Sequence, residues 1–237
     1  MSVRRVALVV AAGAGARMGA SLPKQYRQLA GRPLLAHSLT ALTAHAGIDA
    51  VYVVLAPRDT EWEPFSARGE WGRARPLFCG GETRARSVAN GLRILQELAG
   101  VAEHDWVLVH DGARPCLDAV QLGRLVGEVA DDPVGGILAV PVADTLKRGD
   151  DDRRITGTVS RDRVWIAQTP QMFRLGILRR ALSTSLDVSD EAAAVEALGM
   201  RPLLVPSDPG NLKVTWPADL LLAELILRAR EGSACCA

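Results

Sequence analysis

The sequence predicts an α/β protein with a mostly parallel β-sheet that is covered by helices on both faces. Short apolar runs recur along the chain, and they are continuous rather than alternating, which is typical of strands buried on both faces. Segments with leucines and valines at helical spacing separate these runs, so strands and helices alternate. The 237 residues are enough to bury a sizeable core, and we predict a single domain over residues 1–237.

The first half of the chain alternates apolar runs with segments of helical periodicity. The helix that follows the first strand begins near Pro33, since proline is favoured in a first helical turn, and its leucines share one face. A later helix carries Val88, Leu92 and Leu95 on one stripe. The predicted strands are residues 6–10 (VALVV), 51–55 (VYVVL), 76–79 (PLFC) and 106–110 (WVLVH).

The second half continues the same alternation after one interruption. Asp118 is a suitable N-cap for a helix that runs to about residue 130. Two further strands are predicted at 136–140 (GILAV) and 203–205. The remaining helices are predicted over 175–182, from near Ser189, and from Pro217.

Residues 142–165 interrupt the alternation. This segment is strongly charged, alternates Thr, Val and Ile around 155–159, and has no helical stripe. An insertion of this length within a domain is usually functional or disordered. Its alternating apolar residues predict a protruding β-hairpin arm, and we expect a second subunit to pack against it in a homodimer that exchanges arms.

Composition excludes several functional classes. The formal net charge is +1, which gives no overall field for holding nucleic acid. No window has the apolar length of a membrane span, and a strand so near the start leaves no room for a signal peptide. The four cysteines form no zinc-binding spacing. We therefore expect reduced thiols, a cytoplasmic location, and no nucleic-acid or membrane partner.

Residues 8–24, LVVAAGAGARMGASLPK, are the most informative stretch. A strand opens into small residues, which lets backbone N–H groups approach a phosphate while Arg17 and Lys24 supply positive charge. Met18 occupies the third glycine position of a dinucleotide fingerprint, and no P-loop pattern is present. The stretch resembles the signature loop of sugar-nucleotide and polyol-phosphate nucleotidyltransferases.

Two further loops follow predicted strands. The small residues of 80–87 (GGETRARS) permit backbone contacts to a flat base, although the same pattern also suits a plain helix start. Asp111, at the end of a buried strand, suits Mg²⁺ held partly by phosphate oxygens, or it stabilises a turn. We interpret His110 as a packed strand residue. The three loops should converge because ligands bind beyond the carboxyl ends of parallel strands.

With these residues assembled, residues 6 to about 227 resemble the 2-C-methyl-D-erythritol 4-phosphate cytidylyltransferases of the non-mevalonate isoprenoid pathway. The resemblance rests on motifs spread over the whole chain. They are LPKQY, GGETRARSV, VLVHDGARP, DTLKR, TVSRDRVWIAQTPQMF, SDEAAAVEALG and NLKVTWPADL.

The resemblance implies a Rossmann-like nucleotidyltransferase fold and transfer of CMP from CTP to methylerythritol phosphate, with release of pyrophosphate. It implies catalytic roles for Arg17, Lys24 and Lys213, and Mg²⁺ bound at Asp111. The implied nucleotide-binding residues are Ala11, Ala12, Gly13, Gly15, Gly81, Glu82, Arg84, Ser87 and Gly112. The implied acceptor-binding residues are Arg114, Thr145, Arg161, Thr169 and Lys213, of which Thr145 and Arg161 lie on the arm and reach the neighbouring subunit's site.

Two alternatives remain at this point. A ribitol-5-phosphate cytidylyltransferase would share every nucleotide-loop residue, so only the acceptor side separates it, and the arm sequence favours methylerythritol phosphate. A nucleotide-binding module without turnover would need affinity but no charges matched to a transition state. No Ser, Cys or His is paired for nucleophilic catalysis, so no covalent intermediate is implied.

Overall fold

The predicted alternation of strands and helices is confirmed over residues 3–13, 22–69, 71 and 73–234, which the computed structural model describes. The strands are β1 (Arg5–Val10), β2 (Gln28–Leu29), β3 (Arg32–Pro33), β4 (Ala50–Val54), β5 (Arg75–Leu77), β6 (Trp106–Asp111), β7 (Gly135–Pro141), β8 (Leu146–Gly149), β9 (Ile155–Val159), β10 (Trp165–Arg174) and β11 (Leu203–Pro206). The helices are α1 (Leu34–Ala44), α2 (Trp62–Ser66), α3 (Arg84–Glu97), α4 (Ala119–Val129), α5 (Leu175–Thr184), α6 (Glu191–Glu196) and α7 (Pro217–Ala234).

The predicted element boundaries differ from the observed ones by one or two residues. Asp118 forms the expected N-cap of α4, and Gln121 completes a capping box with it. The helix expected near Ser189 is α6, and its N-cap is Asp190. The strand expected at 76–79 is β5, which ends at Leu77.

The described residues form a seven-stranded sheet in the order β11-β7-β10-β6-β1-β4-β5. Strand β10 runs antiparallel to β6 and β7, and the other pairings in the sheet are parallel. The sheet is therefore mostly parallel, as predicted. Because β10 runs in the opposite direction, its first residues lie at the edge where the other strands end.

Strand β10 is absent from the sequence-based prediction. It pairs with β6 from Gln171 to Arg174 and with β7 on its other side, with an irregular register between Ala167 and Gln171. Polar residues and Pro170 interrupt its apolar pattern, and proline is unusual inside a central strand. Its place in the sheet follows from its pairing with β6 and β7 on either side, which no local sequence pattern indicates.

Two apolar layers sandwich the sheet. Successive residues of β1 face opposite sides, so that Ala7 and Val9 lie in one cluster and Val6 and Leu8 in the other. Helices α1, α2 and α4 cover the first face, and α3, α5 and α6 cover the second. Helix α7 packs with Leu29, Leu34 and Val214 in a smaller cluster.

The segment predicted as an arm is a β-hairpin. Strands β8 and β9 pair antiparallel in a sheet of their own, between the end of β7 and the start of β10. Most of the hairpin's residues are exposed, and Ile155 keeps 70% of its surface accessible. Within the described part of the chain, no helix is long and apolar enough to cross a membrane.

Candidate active site

The three loops predicted to converge do so at the carboxyl edge of the sheet. They surround a pocket of about 420 Å³. Its lining residues come from the ends of β1 and β6, the single helical turn Lys24–Tyr26, the start of α3, and the segment before α7. They are Val10, Ala11, Ala12, Gly13, Lys24, Gln25, Gly81, Glu82, Thr83, Arg84, Ser87, Asp111, Gly112, Ala113 and Lys213. Most of the residues predicted to bind nucleotide are among them. Gly15 and Arg17 lie outside the described residues.

Glycine is required where two of these loops touch. A Cβ atom at Gly80 would lie 2.3 Å from the Cβ of Ala12 and 2.8 Å from the carbonyl oxygen of Leu55. The backbones of the two loops could not approach this closely with a larger residue. Gln25 supports the first loop from below, since its side-chain amide donates a 2.8 Å hydrogen bond to the carbonyl of Ala11.

Ser87 shapes the second loop from within. Its hydroxyl donates to the carbonyl of Thr83 at 2.9 Å and accepts from the N–H of Gly81 at 3.0 Å. The side chain is buried at the first turn of α3. Ser87 therefore holds the loop around Gly81 and Glu82 in a defined conformation.

Asp111 lies at the centre of the charged groups. The carboxylate is buried, with Oδ1 2.8 Å from Nε of Arg84 and Oδ2 2.6 Å from Nζ of Lys213. Burial alone would raise the pKa of Asp111, but the two cations and their hydrogen bonds outweigh it and hold that pKa well below its usual range. Asp111 is therefore ionised at neutral pH.

Arg84 is held by two carboxylates at once. Its terminal nitrogens contact both oxygens of Glu191 at 2.7 and 2.9 Å, and its Nε contacts Asp111. Burial would lower the pKa of Arg84, but the two carboxylates outweigh it and raise that pKa. The guanidinium is thus a fixed positive charge in the wall of the pocket.

The chain before α7 is fastened to the site at three points. Arg114 donates to the carbonyl of Asn211 at 2.7 Å, and the N–H of Val214 donates to the carbonyl of Ala113 at 2.8 Å. Lys24 donates to the carbonyl of Val214 at 2.7 Å. These contacts place Lys213 at Asp111 and bring it near Lys24, although the two lysines are far apart in sequence.

A second pocket of about 270 Å³ adjoins the first. Arg84, Asp111 and Lys213 line both pockets and so form their shared wall. The rest of the lining comes from the β6–α4 loop, the start of β10 and the segment before α6: Arg114, Ala167, Gln168, Thr169, Gln171, Ser189 and Asp190. This arrangement suits two reactants that meet at the shared wall.

Three residues predicted to bind the acceptor, Arg114, Thr169 and Lys213, line this second pocket. The Nε of Arg114 is buried and has no hydrogen-bond partner among the described residues. The hydroxyl of Thr169 accepts a 3.0 Å hydrogen bond from the N–H of Asp111 and lies 3.2 Å from Nδ1 of His110. Thr169 thus also ties β10 to the end of β6.

His110 is buried and packs behind the site, as the sequence suggested. Burial, only partly offset by the charge of Asp111, lowers the pKa of its imidazole to about 4. The ring is therefore neutral at physiological pH. Its nitrogens lie near the hydroxyl of Thr169 and the carbonyl of Arg114, so it braces the strand end.

Thr145 and Arg161, the other predicted acceptor residues, are not brought to this site within one chain. Neither lines either pocket. Arg161 is exposed at the base of the arm, where its guanidinium donates to the carbonyl of Ala143.

The sequence-based prediction missed Glu191, Gln25, Gln168 and Asp190. The signal for Gln25 was its place in the LPKQY motif, and Glu191 and Asp190 stand in SDEAAAVEALG. An acidic pair before an alanine-rich run is common at the start of a helix, so this pattern does not by itself indicate a residue of the site.

The donor groups fit a magnesium ion that is held mainly by a substrate. No group of three or more His, Cys, Asp or Glu side chains that could hold a metal occurs in the described part of the chain. Mg²⁺ keeps several waters and commonly binds one or two carboxylates together with substrate phosphates. Asp111, whose oxygens each retain a further lone pair beside their present partner, matches that pattern.

A glycine-lined pocket at the carboxyl ends of parallel strands, walled by cations and one carboxylate, defines an α/β protein that binds a nucleoside triphosphate and a second anionic reactant. Comparison with known proteins gives the family. The family model for 2-C-methyl-D-erythritol 4-phosphate cytidylyltransferase matches residues 5–229, and the chain belongs to this family.

Individual relatives agree with that assignment. The 2-C-methyl-D-erythritol 4-phosphate cytidylyltransferase of Dechloromonas aromatica (strain RCB) is 57% identical over 228 residues, which cover 96% of this chain and 99% of that protein. The enzyme of the same name from Azoarcus sp. (strain BH72) is 56% identical over 230 residues, covering 97% and 96%. A crystal structure of a 4-diphosphocytidyl-2C-methyl-D-erythritol synthase matches with a TM-score of 0.86 at 41% identity, over 96% of this chain and 100% of that one.

Proposed function

We propose that the chain transfers the cytidylyl group of CTP to 2-C-methyl-D-erythritol 4-phosphate, which gives 4-diphosphocytidyl-2-C-methyl-D-erythritol and pyrophosphate. The observation that carries the proposal is the wall that two adjoining pockets share, formed by Arg84, Asp111 and Lys213. One pocket suits the nucleotide and the other the acceptor, so the two phosphates that react meet at this wall. Membership of the family supports the same substrates.

The reaction is an in-line displacement at the α-phosphorus of CTP. An oxygen of the acceptor's phosphate forms a bond to the α-phosphorus. At the same time, the bond between the α-phosphorus and the oxygen that bridges it to the β-phosphorus breaks. Pyrophosphate leaves with the electron pair of that bond. The acceptor phosphate is already ionised at neutral pH, so no general base is needed, which agrees with the neutral, buried state of His110.

Cations supply the stabilisation that this reaction needs. Negative charge grows on the leaving pyrophosphate, and preorganised positive groups lower the energy of that state. We assign Arg17 and Lys24 to the triphosphate and Lys213 to the α-phosphate and the incoming acceptor. The tie from Lys24 to the carbonyl of Val214 supports a joint action of Lys24 and Lys213.

The loop that Ser87 supports receives the cytosine base. Gly81 and Glu82 line the pocket, and the close approach of Gly80 to Ala12 narrows the space available to a base. A site that hydrogen-bonds one ring rejects a mismatched base because its own polar atoms would be left unpaired.

The acceptor's phosphate lies beside Arg114, whose buried Nε lacks a partner among the described residues. Thr169 completes this side within the same chain. We assign Thr145 and Arg161 to the site of a neighbouring subunit, in a homodimer that exchanges arms. The exposed apolar surface of Ile155 on the arm supports such a contact.

We further propose that the reaction needs Mg²⁺ and that Asp111 would hold it. When bound, the ion would neutralise triphosphate charge and polarise phosphate oxygens. Arg84 would keep the carboxylate oriented, and the low pKa of Asp111 keeps it ionised as a ligand.

We place this activity in the cytoplasm. Cys79 and Cys116, the cysteines within the described residues, are free thiols. Free thiols are typical of reducing compartments.

A pyrophosphate-release assay tests the proposal. The purified chain is given CTP and Mg²⁺ with methylerythritol phosphate, or with ribitol 5-phosphate as the competing acceptor, and ATP replaces CTP in a parallel series. We expect release with CTP and methylerythritol phosphate, little with ribitol phosphate or ATP, and none after chelation of the metal. Faster pyrophosphate release with ribitol phosphate would identify the chain as a ribitol-5-phosphate cytidylyltransferase. CTP binding without pyrophosphate release would identify it as a nucleotide-binding module without turnover.

A further inference from the structure

Glu191 is a buried carboxylate that the reaction described above leaves without a role. It is the first residue of α6, and its side chain is fully buried. Both oxygens accept hydrogen bonds from the terminal nitrogens of Arg84, at 2.7 and 2.9 Å. This paired geometry fixes the plane of the guanidinium as well as its position.

Glu191 is not needed to cap its own helix. That task belongs to Asp190, whose side chain accepts a 2.9 Å hydrogen bond from the N–H of Ala193. A buried ion pair is also weak evidence for stability, because apolar residues of similar volume often serve as well. The carboxylate therefore requires another explanation.

The orientation of Arg84 provides one. With its two terminal nitrogens directed to Glu191, its Nε points to Oδ1 of Asp111 at 2.8 Å. Asp111 and Arg84 line both pockets, whereas Glu191 lines neither. The side-chain hydrogen bonds of Glu191 to Arg84 are therefore its direct link to the pocket wall.

We infer that Glu191 is a positioning residue that orients Arg84 so that Asp111 is held at the shared wall of the two pockets. This inference rests on the proposed function. It extends that function from the residues that line the pockets to a residue in α6, behind them. Without Glu191, the guanidinium has a single carboxylate partner and can turn about Asp111, so Arg84 loses its fixed orientation and Asp111 loses one of its two fixed cationic partners.

Steady-state kinetics of Glu191→Gln provide the first test. Loss of a partner that orients a site group commonly costs roughly ten- to a hundredfold in activity. We expect kcat to fall by that factor while KM for CTP and for the acceptor changes less than about threefold, because Arg84 keeps its charge and its contact with Asp111 and loses only its fixed orientation. Glu191→Asp keeps the carboxylate but moves it away from Arg84 by the length of one methylene group, so we expect a smaller loss of kcat than for Glu191→Gln.

A double-mutant cycle with Arg84→Gln separates positioning from a general structural role. If Glu191 acts only through Arg84, adding Glu191→Gln to Arg84→Gln changes kcat by less than about threefold. The double variant also removes both buried charges together, which favours folding. If Glu191→Gln lowers kcat by the same factor in the wild-type protein and in Arg84→Gln, the inference is overturned. It is also overturned if Glu191→Gln alone keeps the wild-type kcat. If Glu191→Gln does not fold, Glu191→Asp replaces it under the same criteria.

Asp105→Asn is the matched control. Asp105 is likewise a buried carboxylate paired with an arginine, Arg4, but at the opposite end of β6. We expect this variant to lower the melting temperature and to keep the wild-type kcat. The wild-type protein is assayed first. Absence of turnover there would refute the proposed function, whereas turnover with an additive cycle would refute only the role of Glu191.

Discussion

Replacing Lys213 with methionine removes one charge from the shared wall and leaves the apolar stem in place. In the resting protein its ammonium lies 2.6 Å from Oδ2 of Asp111, and the side chain is 42% exposed. The proposed reaction builds negative charge next to this group. If the assignment is correct, the loss should affect the rate at saturating substrate far more than the overall fold.

Two independent considerations give the magnitude. Unit charges about 4 Å apart interact by about 4 kcal/mol at the effective dielectric constant of about 20 that suits partly exposed sites. Removal of one preorganised group that stabilises developing charge costs about 2.7–4 kcal/mol, or 10²–10³ in kcat. Both values predict that Lys213→Met lowers kcat by about 10²–10³. Asp111 keeps its contact with Arg84, so the melting temperature should fall by no more than about 4 °C, which corresponds to about 1 kcal/mol.

Pyrophosphate release at saturating CTP and acceptor measures kcat, and thermal unfolding measures stability on the same samples. Arg93→Met is the control, since Arg93 is an exposed cation of α3 whose ion-pair partner within the described residues is the equally exposed Glu97. The control should match the wild type within about a factor of two in kcat, because exposed pairs of this kind contribute little. A kcat for Lys213→Met within about fivefold of the wild type would refute the assignment of this lysine.

Mixing Arg17→Ala with Arg161→Ala tests arm exchange. By symmetry, half of the dimers become mixed after full exchange, each with one intact site, so activity should recover to about a quarter of the wild type; no recovery, with exchange verified by mass, would place Arg161 in the site of its own chain. Asp105→Asn should flatten the dependence of stability on pH, because N–H groups of Arg4 and Ala102 outweigh burial and lower the pKa of Asp105. In the unfolded protein, Asp105 binds a proton at about pH 4, whereas in the folded protein it does so only at a lower pH. The stabilisation from ionised Asp105 is therefore fully present above about pH 4 and is lost as the pH falls through the lower pKa of the folded state. Urea unfolding between pH 2.5 and 7 measures the slope, and an unchanged slope would contradict this account.

Most of the fold was predictable because buried parallel strands have a local signature. The strands that pair in parallel are apolar runs, and helical periodicity marks the elements between them. Strand β10 has no such signature because its polar side chains serve the site and its surroundings. Gln171, for example, donates a 2.9 Å hydrogen bond to Asp190 and accepts one from the N–H of Ala192. Only the pairing of β10 with its neighbours reveals it as a strand.

The candidate site divides in a similar way. Lys24, Gly81 and Asp111 were predictable because each lies at the end of a strand or in the loop after one, and the topology brings strand ends together. The contact of Lys24 with the carbonyl of Val214 was not, since it joins segments 190 residues apart in sequence. The link from Glu191 to Arg84 spans 107 residues and is equally hidden. The sequence predicts many of the residues that line the two pockets, whereas long-range contacts decide how each one is held there.

The two ends of strand β6 show that the role of an ion pair depends more on which end of the strand it occupies than on its residue types. A buried carboxylate paired with an arginine stands at each end, Asp105 with Arg4 and Asp111 with Arg84. At the amino end, an open groove of about 600 Å³ beside Glu103 and other charged side chains could suggest a binding site by its size alone. At the carboxyl end, however, the neighbouring parallel strands also terminate, so their loops form a glycine-lined pocket around Asp111, and Arg84 and Lys213 add two cations to it. Two ion pairs of the same kind therefore differ in role: Arg4–Asp105 stabilises the fold, whereas Arg84–Asp111 is, in our proposal, part of the reaction centre.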